Sequence, residues 1–573
     1  SGELLNATLT ISGSGAQVKD PVFNFIPSRW GIVEGKTTSD IALRNRDIFE
    51  SIMLKTKALG VTTFKIDKLD AYFKVDGPLN QGVPELHAVN IPSDFNLAMT
   101  NNTHLRMQPN GHFRANLLAI YNEKNITVTG GFLHGDREQH NYNSGYVDSD
   151  GSSGASNEWV NTMAIKGGEN ITIDGVTFQD AAGDGLVVSS IYFYFDSRHI
   201  RSKNINIKNN KFLRARRINL TLVNCEQVFI DNNEFIDGGI DMDNSNGTAP
   251  SSNLNIEPVR GRDASGNLIE YERVSNVYIR NNIQIITDPV KNPKAGGFMI
   301  SHGNGPIIVE NNEMINCSVS FTTTDGVIIR NNNITQGTIS GGRADNFNRT
   351  DFVFNNEIYG NTVVTDGTAM FLAGNGTVAR DNYLEGNIGL SLGAGGNSSN
   401  GLSNTVISNN TIKAKSKAIL SMNTQSNVII SDNTLELLPG SSFSFTLTNT
   451  WSDINEEANF VFENNVITGA RSGTQRGAPP GLVGASSIIL RNNQMGEVQI
   501  NGGSRINVIN NDIESSIGSN GVKFTADAPQ TRFIDNVIRI YPSQTPLQVE
   551  CVKVVDNVVL TTVTFENQEC IEL

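Results

Sequence analysis

The 573-residue chain has no long apolar run and no excess of positive charge. No stretch of about 18 apolar residues occurs, which excludes a membrane-spanning helix, and we expect no membrane partner. The 44 lysines and arginines face 58 aspartates and glutamates, for a formal net charge of -14. Because binding to nucleic acid needs a basic face, we expect no nucleic-acid partner.

Cysteine is also scarce, and four in so long a chain exclude a disulfide scaffold. Cys225 and Cys317 fall at strand-like positions, where buried free thiols are expected. Cys551 and Cys570 could form a bridge if the compartment is oxidising, or stay free. The chain begins SGELLNATLTISGSG, with neither an initiator methionine nor a signal sequence. This indicates that a leader was removed, and we expect a secreted, extracellular protein.

Pairs of asparagine that end short strands, as in NIKNNKF and FIDNNEF, recur along the chain. Many of the intervals between pairs are roughly 21 to 28 residues, which is a solenoid period. Asp-Asn variants occur at Asp381, Asp432, Asp535 and Asp556. The pairs are Asn209-Asn210, Asn232-Asn233, Asn281-Asn282, Asn311-Asn312, Asn332-Asn333, Asn355-Asn356, Asn409-Asn410, Asn464-Asn465, Asn492-Asn493 and Asn510-Asn511.

Within each repeat, short alternating segments such as NVYIRNN place one face inward and one outward. Three strands of about five residues with tight bends fill a coil of about 22 residues, which predicts an all-β, single-stranded right-handed parallel β-helix. Asparagine tolerates the left-handed backbone conformation of a bend, and its amide can bind the equivalent asparagine one coil away. The pairs are therefore predicted to form ladders.

The segment Asp40 to Gly60 has the apolar spacing of a helix, with Ile41, Ile48, Ile52 and Leu59 on one stripe and Ser39 or Asp40 as the N-cap. A solenoid needs its open end covered, so we interpret this helix as an N-terminal cap. No linker is visible. We predict one domain over residues 1–573: cap and entry region to about 100, coils from 101 to 560, and a C-terminal end from 561 to 573.

Two segments, 132–165 and 235–274, interrupt the repeat, and insertions in solenoids often build the binding wall. The motifs GDREQHNY, EW, GDGL and GTAPSSNLNIEP, within residues 132 to 260, resemble the pattern GDRxxHxY, EW, GDG and GTxPxxGIDIEP of a group of bacterial and phage β-helix proteins. The start, with WGI at Trp30, resembles the entry region of pectate-lyase-like enzymes and phage tailspikes. The resemblance implies a carbohydrate-facing β-helix acting on a polysaccharide. Here Asn255 stands where the group has Asp.

Strand alternation places several polar residues on one outer face. If Leu186, Ile218, Leu254, Ile256, Phe298 and Ile300 point inward, then Asn219, Thr221, Asn255, Glu257, Met299 and Ser301 point outward. Asp184 lies at the bend before this face. Read as a strand, IDMD places Asp241 and Asp243 on one side, so both could converge with Asp184 and Glu257.

Converging carboxyls suit glycosidic bond cleavage, which needs a protonated acid and an ionised carboxylate. Crowding and burial raise the pKa of one of them. Candidate catalytic residues are therefore Glu257, Asp184, Asp241, Asp243 and His302. Polygalacturonases resemble this plan, but their NTD, DD and RIK motifs are absent; iota-carrageenases are a looser likeness, with a Glu and a His comparable to Glu257 and His302.

Each candidate also has a structural interpretation. Asp184 precedes glycine, as in many turns, and Asp241 and Asp243 could form a solvated face or a structural calcium site. No other cofactor and no other metal is expected, because the cluster His134, Asp136, Arg137 and His140 lacks a known zinc spacing. Substrate binding or loop bracing is preferred for that cluster. Trp159 and Tyr142 could stack on sugar rings or plug the loop.

Eight basic residues and no acidic one lie between Arg198 and Arg217. They indicate a local anionic ligand or a solvated face. The expected substrate-binding residues are Arg216, Arg217, His134, Arg137, His140, Trp159, Asn219 and Asn255.

These patterns favour a secreted, endo-acting glycoside hydrolase that degrades an anionic polysaccharide, sulfated or uronic. One alternative is a polysaccharide lyase, with Arg216, Arg217, His140 or His302 as the base. The other is a non-catalytic glycan-binding protein, similar to a tailspike or adhesin. We expect a polysaccharide partner, and a monomer, or a homotrimer if the protein is tailspike-like.

Overall fold

The computed structural model describes most of the chain, and all structural statements below concern the residues it describes. The predictions made for the first 20 residues, for the asparagine-pair variant at Asp556 and for the end of the coils at residue 560 lie outside the described residues. The described residues are 21–75, 83–147, 151, 153–154, 157–293, 295–322, 324–342, 353–393, 401–421, 425–447, 460–469, 478–541, 550–555, 558 and 563–572.

The contacts within the chain divide it into two compact units, Ser1–Cys317 and Ser318–Leu573. Each unit is described by itself, and the prediction of a single domain stays a prediction. Over the described residues, no helix is long and apolar enough to cross a membrane.

The N-terminal unit is a right-handed parallel β-helix whose coils each contribute a strand to three parallel sheets. Sheet 1 contains Val22–Asn24, Thr63–Ile66, Phe95–Met99, Lys124–Thr129, Glu169–Asp174, Ser202–Lys208, Cys225–Asp231, Val274–Arg280 and Ile307–Glu310. Sheet 2 contains Leu69–Phe73, Thr103–Met107, Phe132–His134, Thr177–Gln179, Lys211–Leu213, Glu234–Ile236, Ile283–Ile285 and Glu313–Ile315. Sheet 3 contains Val89–Asn90, Arg114–Tyr121, Trp159–Lys166, Leu186–Ser189, Ile218–Leu222, Ser252–Ile256 and Gly296–Ile300. The predicted fold class is confirmed.

Helix α1, Ser39–Ala58, packs against the first coils of this unit. Its N-cap is Thr38, whose hydroxyl accepts from the Ile41 amide, and not Ser39 or Asp40 as predicted. Ile48 and Ile52 are buried as expected, whereas Ile41 and Leu59 are only partly covered. Phe49 takes their place in the core, because its ring packs on Phe25 and Phe64. Short 3-10 helices cover Pro27–Arg29 and Pro84–His87.

Inward-facing aromatic side chains stack along the interior of the coils. Phe178, Phe212 and Phe235 occupy equivalent positions in sheet 2 of three successive coils. Their ring centroids are 4.7 and 4.8 Å apart, with almost parallel planes. Strand spacing sets this distance, so one side chain per coil builds a continuous dry column.

The asparagine pairs form the predicted bends and ladder. In the N-terminal unit the first asparagine of each pair has a φ of 55 to 57°. Each second asparagine is buried and donates its side-chain amide to the Oδ1 of the next one, at 2.9 to 3.0 Å. The ladder satisfies polar groups that a buried bend would leave without partners. Its members are Asn210, Asn233, Asn282 and Asn312.

The C-terminal unit repeats the three-sheet plan. Two long strands, Tyr383–Leu392 and Thr411–Ser421, run through sheets 2 and 3. Its sheet 1 contains Val327–Arg330, Asn356–Tyr359, Gly374–Arg380, Leu402–Ser408, Gln425–Ser431, Phe460–Glu463, Ile488–Arg491, Asn507–Ile509, Arg532–Ile534 and Thr564–Glu566. Its sheet 2 adds Asn333–Thr335, Thr362–Val364, Thr434–Leu437, Val466–Thr468, Gln494–Gly496, Asp512–Glu514, Val537–Ile540 and Glu569–Glu572. Its sheet 3 adds Val319–Phe321, Ile339–Gly341, Thr368–Leu372, Phe443–Leu447, Gly481–Val483, Val498–Asn501, Val522–Ala526 and Val552–Val554.

This unit has its own asparagine ladder, with two departures from the predicted pairs. At the predicted pair Asn332-Asn333, Asn331 makes the bend with a φ of 55° and Asn332 is the ladder residue. Asn361, preceded by Gly360 with a φ of 65°, takes the ladder position expected for Asn355-Asn356. Glycine reaches the left-handed conformation as easily as asparagine, so the pair is not required. Asn356 instead accepts from the Val327 amide. The ladder consists of Asn332, Asn361, Asn382, Asn410, Asn433, Asn465, Asn493, Asn511 and Asn536.

The cysteines behave as the sequence suggested. Cys551 and Cys570 form a disulfide, so the first of the two alternatives for them holds. Cys225 and Cys317 are buried free thiols, as predicted.

Segments that leave the coils of the N-terminal unit flank the strands of sheet 3. They comprise the described parts of 135–158, together with 190–201, 237–251 and 257–273, the last of which carries the antiparallel hairpin Arg260–Arg262 and Leu268–Glu270. Sheet 3 is therefore the face that these segments surround, and the polar residues singled out by the sequence lie on it.

Candidate functional site

The outer face of sheet 3 carries aligned polar side chains. Thr221 pairs with Asn255 and Asn255 with Met299 on successive coils, which confirms the predicted outward row for these three residues. Asn219 is not part of the row, because its side-chain amide donates to Ile236 O in sheet 2. The alternate residues Leu254 and Ile256 point into the core and are fully buried. Thr221 and Asn255 are also almost fully covered, although they point outward. A buried polar row of this kind needs hydrogen bonds to every group, and these define the site.

Arg217 is the centre of the site. It precedes the strand Ile218–Leu222, and its Nη1 lies 2.9 Å from Asp184 Oδ2. Its Nη2 lies 3.0 Å from Glu257 Oε2, and its Nε lies 3.8 Å from Glu158 Oε2. One planar guanidinium thus joins carboxylates from three separate stretches of the chain. Arg217 positions these carboxylates, and its predicted role in substrate binding stays a prediction.

Asp184 lies beneath this arginine and is only 1% exposed. The Thr221 hydroxyl donates to its Oδ2 at 2.7 Å, and its own amide donates to Asn161. Burial raises the pKa of Asp184 to about 6, against the opposing effects of Arg217 and Thr221. The predicted position of Asp184 at the bend before this face is confirmed. Because Arg217 and Thr221 both bind its Oδ2, we assign Asp184 the role of positioning Arg217.

Glu257 is the most exposed carboxylate of this group, with 38% of its side chain exposed, against 31% for Glu158 and 2% for Asp184. It follows the strand Ser252–Ile256, and its Oε2 accepts from Arg217 and from Asn255 Nδ2, both at 3.0 Å. The Ser301 hydroxyl in turn donates to Asn255 Oδ1. Asn255, predicted to bind substrate, is fully buried and orients Glu257 instead. The Asp-to-Asn departure thus supplies an amide donor that an aspartate would not.

Glu272 is a further carboxyl of the site that sequence reasoning missed. Its Oε2 accepts from the Val259 amide at 2.9 Å. Burial raises its pKa to about 7, Val259 and Lys166 oppose the rise, and the charge of Glu257 adds to it. The available signal was its place in the second interruption, 15 residues after Glu257 in the sequence EYERV. The hairpin Arg260–Arg262 and Leu268–Glu270 returns the chain to Val259, next to the site. Strand alternation does not predict this path.

A polar chain continues along sheet 3 towards the N-terminus of the unit. Asn161 Nδ2 donates to Asn116 Oδ1, and Asn116 Nδ2 donates to Glu85 Oε1. Lys166 Nζ lies 2.9 Å from the same Glu85 oxygen. Such a connected network fixes the orientation of Asp184 through the Asn161 carbonyl.

His302 lies just beyond the strand Gly296–Ile300, one coil after Glu257. Its amide donates to Ile256 O at 3.3 Å, beside the equivalent bond from Ser301. It is partly exposed at the same end of sheet 3. The structure thus brings its backbone next to the coil of Glu257, and its catalytic role stays a prediction.

Asp241 and Asp243 do not lie on a strand, so the predicted alignment of their side chains is wrong. Residues 237–251 form a loop in which both aspartates are exposed. Asp241 Oδ1 accepts from the Gly247 amide, and its own amide donates to Asn292. Glycines 238 and 239 turn the chain out of the coil, which ends the alternation before IDMD begins. Their predicted catalytic role loses its geometric basis.

Arg137 is fully buried, and it braces two loops instead of binding substrate. Its guanidinium donates to Arg214 O at 2.7 Å, and to Ile240 O and Ser245. These bonds join the segment 135–158 to the segment 237–251. Burial lowers its pKa to about 10. Of the two interpretations left open, loop bracing is favoured.

The neighbouring histidines are buried too. His134 shares a hydrogen bond of 3.0 Å with His104, and burial lowers its pKa to about 3. His140 Nδ1 lies 2.8 Å from Asp136 Oδ2, with neither side chain exposed. Neither histidine presents a ring to solvent, so substrate binding by His134 or His140 is disfavoured. Asn219, also expected to bind substrate, is buried and donates to Ile236 O and Asn253 Oδ1.

Three predicted contact residues remain on the surface. Trp159 is 53% exposed at the start of the strand Trp159–Lys166. The Arg216 guanidinium lies 4.2 Å from the ring centroid of Tyr142, and its Nε donates to Asn246 O. The Tyr142 hydroxyl donates to Arg137 O. Tyr142 is therefore part of the loop brace, and Trp159 is the better placed of the two rings for a sugar.

Seven of the eight basic residues between Arg198 and Arg217 form ion pairs with acidic residues, most of them on adjacent coils. These pairs fit the alternation of charge along sheets 1 and 2 and offset most of the positive charge that favoured an anionic ligand. The pairs are Arg198–Asp196, Arg201–Glu226, Lys203–Glu169, Lys208–Asp174, Lys211–Glu234, Arg214–Asp180 and Arg217–Asp184.

A cavity of about 610 Å³ lies beside the bend between sheets 3 and 1. Its charged lining is already paired, because Arg201 binds Glu226, Lys203 binds Glu169, and Ser93 binds Glu123. Glu257 does not line it. Over the described part of the chain, no cluster of three acidic, histidine or cysteine side chains is arranged to hold a metal. The expected structural calcium stays a prediction.

Chemically, the site offers two partly exposed carboxylates, Glu257 and Glu158, and an arginine and an amide hold Glu257 in place. The charge of Glu257 also acts on Glu272, a carboxyl that is 7% exposed and whose pKa of about 7 lets it carry a proton near neutral pH. An ionised carboxylate next to a protonated carboxyl is the pair that acid-assisted bond cleavage needs.

No protein-family model matches the chain. It is 28% identical over 226 residues to the uncharacterised protein YclG of Bacillus subtilis (strain 168), a match covering 39% of this chain and 36% of that protein. It is 25% identical over 259 residues to the SPbeta prophage-derived uncharacterised protein YorA of the same strain, covering 45% and 40%. The matched regions span less than half of either relative.

Solved structures similar to this chain include parallel β-helix proteins of phages and bacteria. Pre-mature gene product 12 of bacteriophage phi29 is 14% identical with a TM-score of 0.46, covering 94% of this chain and 73% of its own. Tailspike gp49 of Acinetobacter baumannii phage Fri1, a capsular polysaccharide depolymerase, is 13% identical with a TM-score of 0.39, and the match covers 80% of this chain and 64% of the tailspike. The family 28 exopolygalacturonase of Yersinia enterocolitica is 11% identical with a TM-score of 0.29, and the match covers 94% of this chain and 79% of the enzyme. Identities and TM-scores this low support no argument about function. The fold assignment therefore rests on the strand register of this chain, and any functional assignment rests on its own residues.

Proposed function

We propose that this chain is a secreted polysaccharide-degrading glycoside hydrolase, with Glu257 and Glu272 as its paired carboxyls. The observation that carries the proposal is the exposed Glu257 carboxylate, which Arg217 and Asn255 fix on the face of sheet 3 that the loops surround. Glu272 lies on the adjacent hairpin and feels the charge of Glu257. Preorganised acidic groups at a loop-lined solenoid face suit a long polymer that lies across several coils.

In the proposed reaction, Glu272 donates its proton to the glycosidic oxygen while the bond to the anomeric carbon breaks. Glu257 takes a proton from a water that attacks this carbon, or attacks it directly and is released by water in a second step. The anomeric configuration of the first product, observed by NMR, distinguishes these routes. Arg217 and Asn255 hold the Glu257 carboxylate in position for either route.

The test is a polysaccharide panel of polygalacturonate, alginate, iota-carrageenan and dextran, with reducing ends and ultraviolet absorbance measured together. We expect new reducing ends without absorbance on at least one polymer, and none from Glu257→Gln. The panel spans uronic, sulfated and neutral chains because the ion pairs of the basic run leave the charge of the glycan open. Failure of the wild-type protein to cleave any of the four would count against the hydrolase.

Hydrolysis is preferred to β-elimination because the cations at the site are engaged. A lyase needs a base and a cation beside a uronate carboxylate. Arg217 is bound by Asp184 and Glu257, and Lys166 by Glu85. Products that absorb in the ultraviolet would overturn hydrolysis in favour of the lyase. Binding without cleavage would favour the tailspike-like or adhesin-like alternative.

A further inference from the structure

A row of exposed aromatic residues lies outside the site described above. The segment 190–201 connects Leu186–Ser189 of sheet 3 to Ser202–Lys208 of sheet 1. Its Tyr192, Phe193, Tyr194 and Phe195 are 47, 44, 42 and 64% exposed. Four consecutive aromatic side chains in water are costly, and such patches mark places where something binds.

The backbone of this segment is held by hydrogen bonds. Ile191 and Ile200 exchange two bonds of 3.0 Å across its base. Tyr192 has a φ of 60°, a conformation that bulky residues seldom adopt, and its carbonyl accepts from Ser190 Oγ at 2.7 Å. Asn224 on the next coil donates to that same Ser190 hydroxyl. The rings are therefore presented on a fixed turn.

Cations and another ring fix the side chains as well. The Arg198 guanidinium lies 3.9 Å from the ring centroid of Tyr192. Arg273 lies at the same distance from Tyr194. Tyr271 on the hairpin packs against both phenylalanines, with centroids 5.4 and 5.6 Å away. Each contact holds a ring while much of it stays exposed, so little ordering is left for a ligand to impose.

This aromatic row is continuous with the carboxylate site. The Tyr194 amide donates to Tyr271 O at 2.8 Å. The amides of Tyr271 and Glu272 both donate to Val259 O, two residues after Glu257. Tyr271 therefore supports the row, and the very next residue, Glu272, belongs to the carboxyl pair. A ligand that covers Glu257 and extends past the hairpin would meet the rings.

We infer that the row Tyr192–Phe195 is a stacking subsite for pyranose rings of the glycan that reaches Glu257, an inference that rests on the proposed function. Sugars present an apolar C–H face to aromatic rings and hydroxyls to the polar groups around them. Arg198, Arg273 and Glu270 supply such groups at the edges of the row. The continuity with the carboxyl pair favours the glycan over a second copy of the chain as the occupant.

The test is affinity electrophoresis in gels that contain each of the four polysaccharides of the panel. Glu257→Gln serves as the background, so that cleavage does not interfere. The double variant Phe193→Ala/Phe195→Ala is compared with the matched control Phe565→Ala, which removes an exposed phenylalanine of the C-terminal unit. We expect the double variant to bind at least one polymer about 30-fold more weakly, because it removes two rings and each stacked ring contributes about 1 kcal/mol. The control should bind like the background, and thermal melts should coincide.

Several outcomes would overturn the inference. They are equal retardation of the double variant and the control, retardation by none of the four polymers, and self-association of the wild type that the double variant abolishes in sedimentation experiments. The last would identify a second copy as the occupant. Binding that depends on the row but without cleavage by the wild type would leave the subsite standing while the hydrolase fails.

Discussion

Asp70 and Asp184 each bind an arginine, yet their pKa values move in opposite directions. Asp70 projects from sheet 2, where the Arg106 side chain binds it and lowers its pKa. Asp184 lies below the outer face of sheet 3, 2.9 Å from Arg217, and burial raises its pKa to about 6. The ion pair is similar, so burial decides the direction. Water stabilises the ionised form of Asp70, which is partly exposed, but it does not reach Asp184, which is buried.

The same contrast separates the faces of the N-terminal unit. Pairs on sheets 1 and 2, such as Lys208–Asp174 and Lys211–Glu234, are partly exposed and neutralise each other between coils. On sheet 3 the loops cover the polar row, and raised carboxyl pKa values cluster there. Clustered perturbation in a loop-lined face is typical of functional sites.

The largest effect is expected for Glu257→Gln. The substitution keeps the shape but removes the negative charge that meets the substrate, so we expect cleavage to fall by about 10³-fold or more. The matched control is Glu234→Gln on sheet 2, where a glutamate of similar exposure pairs with Lys211. Initial rates of reducing-end release measure both. Equal losses in the two variants would remove the distinction between the faces.

Glu272→Gln is expected to have the next largest effect, a loss of about 10²-fold, because it removes the proton donor. Wild-type activity should fall as the pH rises through about 7, since Glu272 then loses its proton. The remaining activity of the variant should lack this alkaline decline. A pH–rate profile with the decline unchanged in Glu272→Gln would assign the acid to another group.

The sequence predicted the architecture because its signal is local and repeated. Alternation of apolar residues and an asparagine at each bend recur in nearly every coil, so errors in one repeat do not change the result. Asn355-Asn356 illustrates the limit. A pair occurs there, but Gly360 makes the bend, and only the ladder geometry shows which asparagine continues it.

The site was predictable only where it lies on strands. Strand alternation correctly placed Asn255 and Glu257 on one outer face with Thr221. It failed for Asp241, because the chain leaves the coil at glycine, and it missed Glu272, which a hairpin returns to the site. Burial was not foreseen either: Arg137 looked like a binding residue, yet its donors are consumed inside the loops. Loop paths depend on such long-range bonds, which local patterns do not encode.

Asp184→Asn tests the sheet 3 side of the comparison through stability. The pKa of Asp184 is raised from 3.8 to about 6, so the folded state holds its proton more tightly than the unfolded chain does. Its contribution is therefore fully present below about pH 4 and is lost as the pH rises to about 6, an effect of up to about 3 kcal/mol. We expect the melting temperature of the variant to fall less than that of the wild type over this range. Parallel melting curves against pH would contradict the raised pKa.

Asp70→Asn should have the smallest effect, with the opposite pH dependence. The pKa of Asp70 is lowered, so its contribution is present above its ordinary pKa and disappears as the pH falls through the folded value. Because 47% of its side chain is exposed, we expect under about 1 kcal/mol of destabilisation at pH 7, and none in strong acid. High salt should remove most of the effect, since solvent ions screen an exposed pair, whereas the Asp184→Asn difference should persist. Thermal melts of both variants at low and high salt make this comparison. A salt-sensitive Asp184→Asn would show that the two aspartates share one environment, and the contrast between the faces would then lose its physical basis.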